Sequence, residues 1–240
     1  MSLWSSEDSE RWQQQLDGYW DTIGRSSKER LPELERWYFE ELPALLKERS
    51  PAYLEKADLV RLVEWKLVRG KWRPRLQQYA QQLGEAEVKD ATMRGLALLA
   101  HTKQGQQQQQ QAQQEGKQKG DQQPPLAVSQ AAEVEKALTI VTGLKGVGPA
   151  TGSAILSAFD SSIPWMSDEA MAAALGSKDY TVKKFKELLE ALRKKAAKLT
   201  SCGGRAWTAR EVEQCLFAEA AGAAAKAKSD KQPPRKKQKR

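Results

Sequence analysis

The residues Leu144-Lys145-Gly146-Val147-Gly148-Pro149-Ala150-Thr151 form the stretch of this chain best suited to gripping a ligand. Two glycines around one apolar residue allow a turn whose backbone approaches a bound molecule with no Cβ in the way. Pro149 suits the first turn of a helix, where its missing N–H goes unused. Unpaired amides at such a start converge at the positive end of the helix, which favours a phosphate oxygen. Lys145, Gly146, Val147, Gly148 and Thr151 are therefore the expected contacts to a nucleic-acid backbone, in a grip that reads no base sequence. The elements that must position this turn are helices. Val134, Leu138 and Val141 recur at helical spacing before it, and Gly152-Ser153-Ala154-Ile155-Leu156 continue after it. No Gly-Lys-Ser/Thr of a P-loop is present, and no β-branched strand precedes the glycines as a dinucleotide fold requires.

A second stretch, Glu64 to Arg75, interleaves Trp65 and Trp72 with Lys66, Arg69, Lys71, Arg73 and Arg75, and no acid follows until after Gly84. Cations among aromatics suit a surface that tracks phosphates or stacks bases. The same residues also suit the C-terminal end of a helix, where the dipole favours cations. Trp12, Leu16, Tyr19, Trp20 and Ile23 mark one amphipathic segment, and Leu34, Trp37, Tyr38, Leu42 and Leu45 mark another, bent or broken at Pro43. Leu59, Leu62, Val63 and Leu67 mark a helix ended by Gly70, and Leu76, Tyr79, Ala80 and Leu83 one begun near Pro74. Met93, Leu96, Ala97 and Ala100 complete the first half. Beyond the hairpin, Val182, Phe185, Leu188, Leu189, Leu192 and Leu199 line one face of a long helix. Its other face carries Lys183, Lys184, Lys186, Arg193, Lys194, Lys195 and Lys198, either a solvated surface or a flank of a DNA groove. Thr208 and Glu211 form a capping box behind Trp207.

Leu144 to Leu156 resembles the helix-hairpin-helix of the DNA glycosylase superfamily, and the likeness runs on to about Ala174. After the second helix come Ile163-Pro164-Trp165-Met166-Ser167-Asp168, where that family has a Pro-x-x-Asp-like segment bearing its catalytic aspartate. The resemblance implies an all-α, multi-helix helix-hairpin-helix domain that acts in base excision repair. It also implies that Asp168 stabilises the positive charge built on a sugar, or activates water, as a glycosidic bond breaks. Ser167-Asp168-Glu169 equally fits a plain helix N-terminus. Bifunctional members of the family carry a nucleophilic lysine where this chain has Ala150, so imine chemistry through that position is not expected. The resemblance leaves open whether the chain is a monofunctional base-excision enzyme, a non-catalytic DNA-binding or damage-sensing protein, or a protein–protein adaptor.

The net charge of +8 is concentrated at one end. Residues 226–240 hold eight basic side chains and one acid, leaving 31 basic and 30 acidic ones in the other 225 residues. A nearly neutral body must attract nucleic acid through local patches. The segment 233–240 is a basic cluster suited to a nuclear import receptor, which points to the nucleus. Gln104 to Pro125, rich in Gln, Gly and Lys, has no apolar periodicity and is expected to be an unpacked loop. The chain is therefore divided into 1–103 and 126–222, two halves of one domain, with a disordered insertion at 104–125 and a disordered basic tail at 223–240. Cys202, Cys215 and the single histidine, His101, lack the spacing of a metal knuckle, so no metal and no cofactor is expected. No apolar run approaches membrane-spanning length, and the partner expected is duplex DNA, intact or damaged.

Overall fold

The computed structural model describes residues 2–115, 126–203 and 205–229, with side chains for 2–100, 131–202 and 205–224. Every regular element among them is helical: α1 Ser9–Asp17, α2 Tyr19–Gly24, α3 Leu31–Arg36, a π-helical turn Trp37–Glu41, α4 Leu42–Glu48, α5 Lys56–Arg69, α6 Pro74–Gln82 and α7 Glu85–Glu115. Then follow α8 Leu126–Val141, α9 Pro149–Phe159, α10 Asp168–Leu175, α11 Val182–Gly203 and α12 Ala209–Ser229. None of the described helices is long and apolar enough to cross a membrane.

Both halves of the chain feed one continuous core. Trp12, Leu34, Tyr38, Leu62 and Trp65 from the first half pack in the same cluster as Leu138, Ile155, Trp165, Phe185 and Leu192 from the second. An aromatic column crosses its middle. Tyr38 stacks on Trp65 at 3.5 Å with 8° between the planes, and Trp65 leans on Trp165 at 4.6 Å. The Tyr38 hydroxyl donates to the Ala154 carbonyl at 2.8 Å, so the polar end of this buried ring is satisfied. The column joins the π turn, α5, α9 and the segment leading into α10, which are the elements that surround the hairpin.

Several helix boundaries follow the expected chemistry, and others depart from it for readable reasons. Gly70 ends α5, and Thr208 and Glu211 close a reciprocal capping box: the Thr208 amide donates to Glu211 at 2.8 Å and the Glu211 amide to Thr208 at 3.2 Å. The segment from Trp12 to Ile23 is two helices, because Gly18 caps α1 and starts α2. Pro43 neither bends nor breaks its run outright. The wide turn Trp37–Glu41 sits just before it, which relieves a proline ring that has no N–H and crowds the carbonyl four residues back. Helix α7 is bounded at Glu85 and Glu115. Helix α12 is bounded at Ala209 and Ser229. The rest of the insertion, 116–125, and the cluster 233–240 lie outside the described residues, as does the His101 side chain.

Candidate nucleic-acid interface

The hairpin is built from the C-terminal end of α8 and the start of α9. The Val147 amide donates to the Leu144 carbonyl at 3.0 Å, and Leu144 and Val147 are buried, so the turn is anchored by apolar contacts. Its two glycines serve different ends. Gly146 has φ +84°, and a Cβ there would lie 2.6 Å from the Cβ of Tyr79, so conformation and packing both demand glycine. Gly148 has φ −88° and ψ 179°, ordinary extended backbone, and a Cβ there would meet nothing within 4 Å. Gly148 is the N-cap of α9, and its carbonyl accepts from Thr151 and Gly152 at 2.9 and 2.8 Å. The amides of Gly148 and Ala150 find no acceptor among the described residues, as expected at a helix start without a side-chain cap.

The segment bearing Asp168 is fastened directly to α9. Trp165 donates from Nε1 to the Ala150 carbonyl at 2.9 Å, and the Met166 amide donates to Ser153 Oγ at 3.1 Å. Ser167 caps α10, its hydroxyl accepting from the Ala170 amide at 3.3 Å. The cap is therefore Ser167, and Asp168, at the next position, has a free choice of partners. Asp168 Oδ1 accepts a hydrogen bond from the Tyr180 hydroxyl, Lys178 Nζ lies 3.7 Å from Oδ2, and the side chain is 48% exposed. Burial and this carboxylate together push the Tyr180 phenol well above its usual range.

Between the hairpin, the end of α5 and Asp168 lies a cavity of about 300 Å³. Gly148, Ala150, Thr151, Trp165 and Met166 line it, and Lys66, Lys71, Arg73, Asp168, Glu169 and Tyr180 supply its charged and polar groups. Lys66 donates from Nζ to Thr151 Oγ1 at 3.0 Å. Burial pushes its amine down to about 8, helped by the Arg73 cation and opposed by the Asp168 carboxylate.

The stretch from Trp65 to Arg75 is thus divided by the fold. Lys71 and Arg73 line the cavity mouth, and Trp72, 54% exposed, stands beside them. Arg75, at the start of α6, is also exposed. Trp65 corrects the expected patch: it is fully buried against Tyr38, so no base can stack on it. Arg69 is a second correction. It is 2% exposed, 2.8 Å from Glu213 and 3.5 Å from Glu35, because a cation taken into a core must be paired there. Thr151 sits in the hairpin as expected, yet its hydroxyl is engaged by Lys66. Lys145 lies over the Tyr79 ring at 5.7 Å.

The cationic face of α11 is largely engaged by the protein itself. Lys184 pairs with Glu187 and Lys186 with Glu135, while Arg193 donates to the Ser162 carbonyl and Lys195 to the Trp4 carbonyl. Sequence reasoning missed Tyr180, which lies in a short loop without periodicity, and the docking role of Trp165. It also placed Lys66 among exposed cations, although its position between Val63 and Leu67 on the apolar stripe hinted at burial. No family model, curated protein or solved structure matches the chain.

Proposed function

We propose that this protein grips duplex DNA by its backbone through the helix-hairpin-helix and takes a damaged or unpaired nucleotide into the adjoining cavity. The observation that carries the reading is Gly148. Its backbone does not require glycine and its surroundings leave room for a side chain, while its amide and that of Ala150 stand unpaired at a helix start. A phosphate seated on those amides accounts for all three facts. Lys145, Lys71 and Arg73 add charge around that seat, and Trp72 offers the one large exposed apolar face among the described residues for a displaced base or an opened base step. The basic cluster at 233–240 fits delivery to the nucleus by an import receptor.

The test uses the full chain and duplexes with and without an abasic-site analogue, titrated with salt. Preferential binding to the abasic duplex is expected, with log affinity falling by about 0.9 per phosphate neutralised for each tenfold rise in salt. Gly148→Glu, which the fold accommodates, is expected to reduce that affinity at least tenfold. Equal affinity of Gly148→Glu and wild type for both duplexes would remove the hairpin from the reading.

Within this reading Asp168 is the group placed to assist hydrolysis of a glycosidic bond. It borders the cavity, and Tyr180 fixes one of its oxygens. Asp168→Asn is then expected to abolish base release from damaged duplexes while retaining affinity. Retained release would leave Asp168 a structural residue, and the absence of release in wild type would make the protein a binder.

A further inference from the structure

The segment that follows α5 carries the exposed cations Lys71 and Arg73 and the exposed ring of Trp72, yet it has little to hold it. The amides of Lys71, Trp72 and Arg73 find no acceptor among the described residues. What fixes the start of this loop comes from 41 residues earlier in the chain. Lys28 donates from Nζ to the Arg69 carbonyl at 2.7 Å and to the Gly70 carbonyl at 3.1 Å. Carbonyls at the C-terminal end of a helix lack partners within it and carry the negative end of its dipole. An ammonium placed there supplies the missing donors and gains from the field. Lys28 is itself held in place. Its amide donates to Ser26 Oγ at 3.2 Å, its carbonyl accepts from the Leu31 amide at 2.9 Å, and Ile23 and Leu31 on either side are buried in one cluster with Phe217. Gly70 and Lys71 line the cavity beside the hairpin, whereas Lys28 does not.

We propose that Lys28 is a positioning residue: by tying down the end of α5 it holds the loop Lys71–Arg73, and with it the cationic rim of the cavity, in the pose that meets the duplex. This rests on the DNA reading above. Two cations and a ring on an unfastened loop would each have to be ordered as DNA binds, and that ordering costs affinity. With Lys28 in place the ordering is completed on folding. The compact ammonium suits the task, because its three donors can serve two carbonyls at once. An uncharged side chain of similar length returns both carbonyls to water, so the last turn of α5 frays and the rim loses its fixed geometry while all its cations remain. The charge of Lys28 also reaches Glu35 in the core, so a change in overall stability does not by itself report on this role.

The test uses the full chain, its Lys28→Met and Lys28→Arg variants, and the duplex with an abasic-site analogue at fixed low salt. Lys28→Met is expected to weaken binding about fivefold, with Lys28→Arg restoring it. It is also expected to speed hydrogen exchange of the Gly70 amide, which donates to the Lys66 carbonyl at 3.0 Å, relative to the amides of α9. In a background of Lys71→Ala, Trp72→Ala and Arg73→Ala, the same substitution is expected to leave affinity unchanged, because there is no rim left to position. An equal loss in that background means that Lys28 meets DNA itself, and overturns the proposal. Unchanged affinity of Lys28→Met, or unchanged exchange at Gly70, overturns it too, and all three outcomes leave the DNA reading intact. A wild type that binds neither the abasic nor the intact duplex overturns both.

Discussion

Lys66 and Arg69 lie three residues apart on the same helix, the first partly and the second fully withdrawn from solvent, yet the fold treats them in opposite ways. Arg69 is closed in by two carboxylates and by rings, with Phe217 3.9 Å and Trp165 4.8 Å from its guanidinium. Burial alone would weaken its charge, but Glu213 and Glu35 more than restore it, and the guanidinium is held above its usual range. Lys66 has one hydroxyl and a cavity, and its amine is pushed down to about 8. The difference lies in what surrounds each cation: Arg69 has two carboxylates within 3.5 Å, and Lys66 has a neutral hydroxyl and an open cavity. Surroundings of the second kind cost stability and are where a ligand is to be sought.

Removing Arg69 should therefore have the largest effect. Arg69→Met leaves Glu35 and Glu213 facing one another in the core without a cation, a loss of about 3–5 kcal/mol in unfolding free energy. Denaturant titration measures it. The triple replacement Arg69→Met, Glu35→Gln, Glu213→Gln should recover much of the loss, because the uncompensated charge rather than the missing contact is what destabilises. If the triple variant is no better than the single one, the cluster is held by shape and the contrast with Lys66 is not electrostatic.

The same division separates the two hairpin glycines. Gly146→Ala places a Cβ at positive φ and 2.6 Å from Tyr79, costing about 2 kcal/mol, whereas Gly148→Ala should change stability by less than about 0.5 kcal/mol. Thermal unfolding of the two variants side by side is sufficient. Equal destabilisation would mean that the fold depends on Gly148 as much as on Gly146, and the phosphate seat would lose its main support.

The closed region was partly legible in the sequence, and the open one hardly at all. The 3.6-residue recurrence of Leu34, Tyr38, Leu59, Leu62, Phe185 and Leu188 gives the helices and their buried faces, because burial leaves a periodic trace. Glu35 and Glu213 sit at stripe positions beside Leu34 and Val212, and a glutamate there signals a buried cation; only the fold says which one. The hairpin was readable because its glycines and proline are constrained locally. The cavity was not, since Lys66, Thr151, Asp168 and Tyr180 come from four places and meet only through the docking of Trp165 on Ala150.

Because the Asp168 carboxylate offsets its burial only in part, Lys66 should be a residue whose loss stabilises. Lys66→Met is expected to gain about 1–2 kcal/mol at pH 7, less than the shift alone implies because Thr151 loses its partner. The sign follows from the amine being lowered from 10.5 to about 8. Below pH 8 both folded and unfolded chains hold the proton and the full cost of burying it is present. Between about 8 and 10.5 the unfolded chain alone holds it, so wild-type stability rises with pH and the advantage of the variant fades. Chemical denaturation at pH 7 and pH 10 checks both points, and a loss of stability at pH 7 would place Lys66 with Arg69 as a structural cation.

The finest probe of the contrast is the proton balance of the closed cluster. Two carboxylates share one guanidinium, so burial outweighs the attraction and pushes Glu213 up to about 7, with Glu35 raised in the same direction. Below pH 4.5 the Glu213 carboxyl is protonated in folded and unfolded chains alike. Between 4.5 and about 7 the folded chain keeps a proton that the unfolded chain releases, so stability falls as pH rises, and above 7 this dependence ends. Relative to Glu213→Gln, which carries no such proton, the wild type should lose about 1 kcal/mol per pH unit across that window. Tyr19, which donates to Glu35 at 2.8 Å, Lys28, whose charge acts on Glu35, and Glu169 on α10 also lie near the cluster; Tyr19 stays protonated throughout. A flat difference between wild type and variant from pH 5 to 7 would mean that Arg69 keeps both carboxylates ionised, making the closed region fully charged and its contrast with the lone amine of Lys66 one of pairing alone.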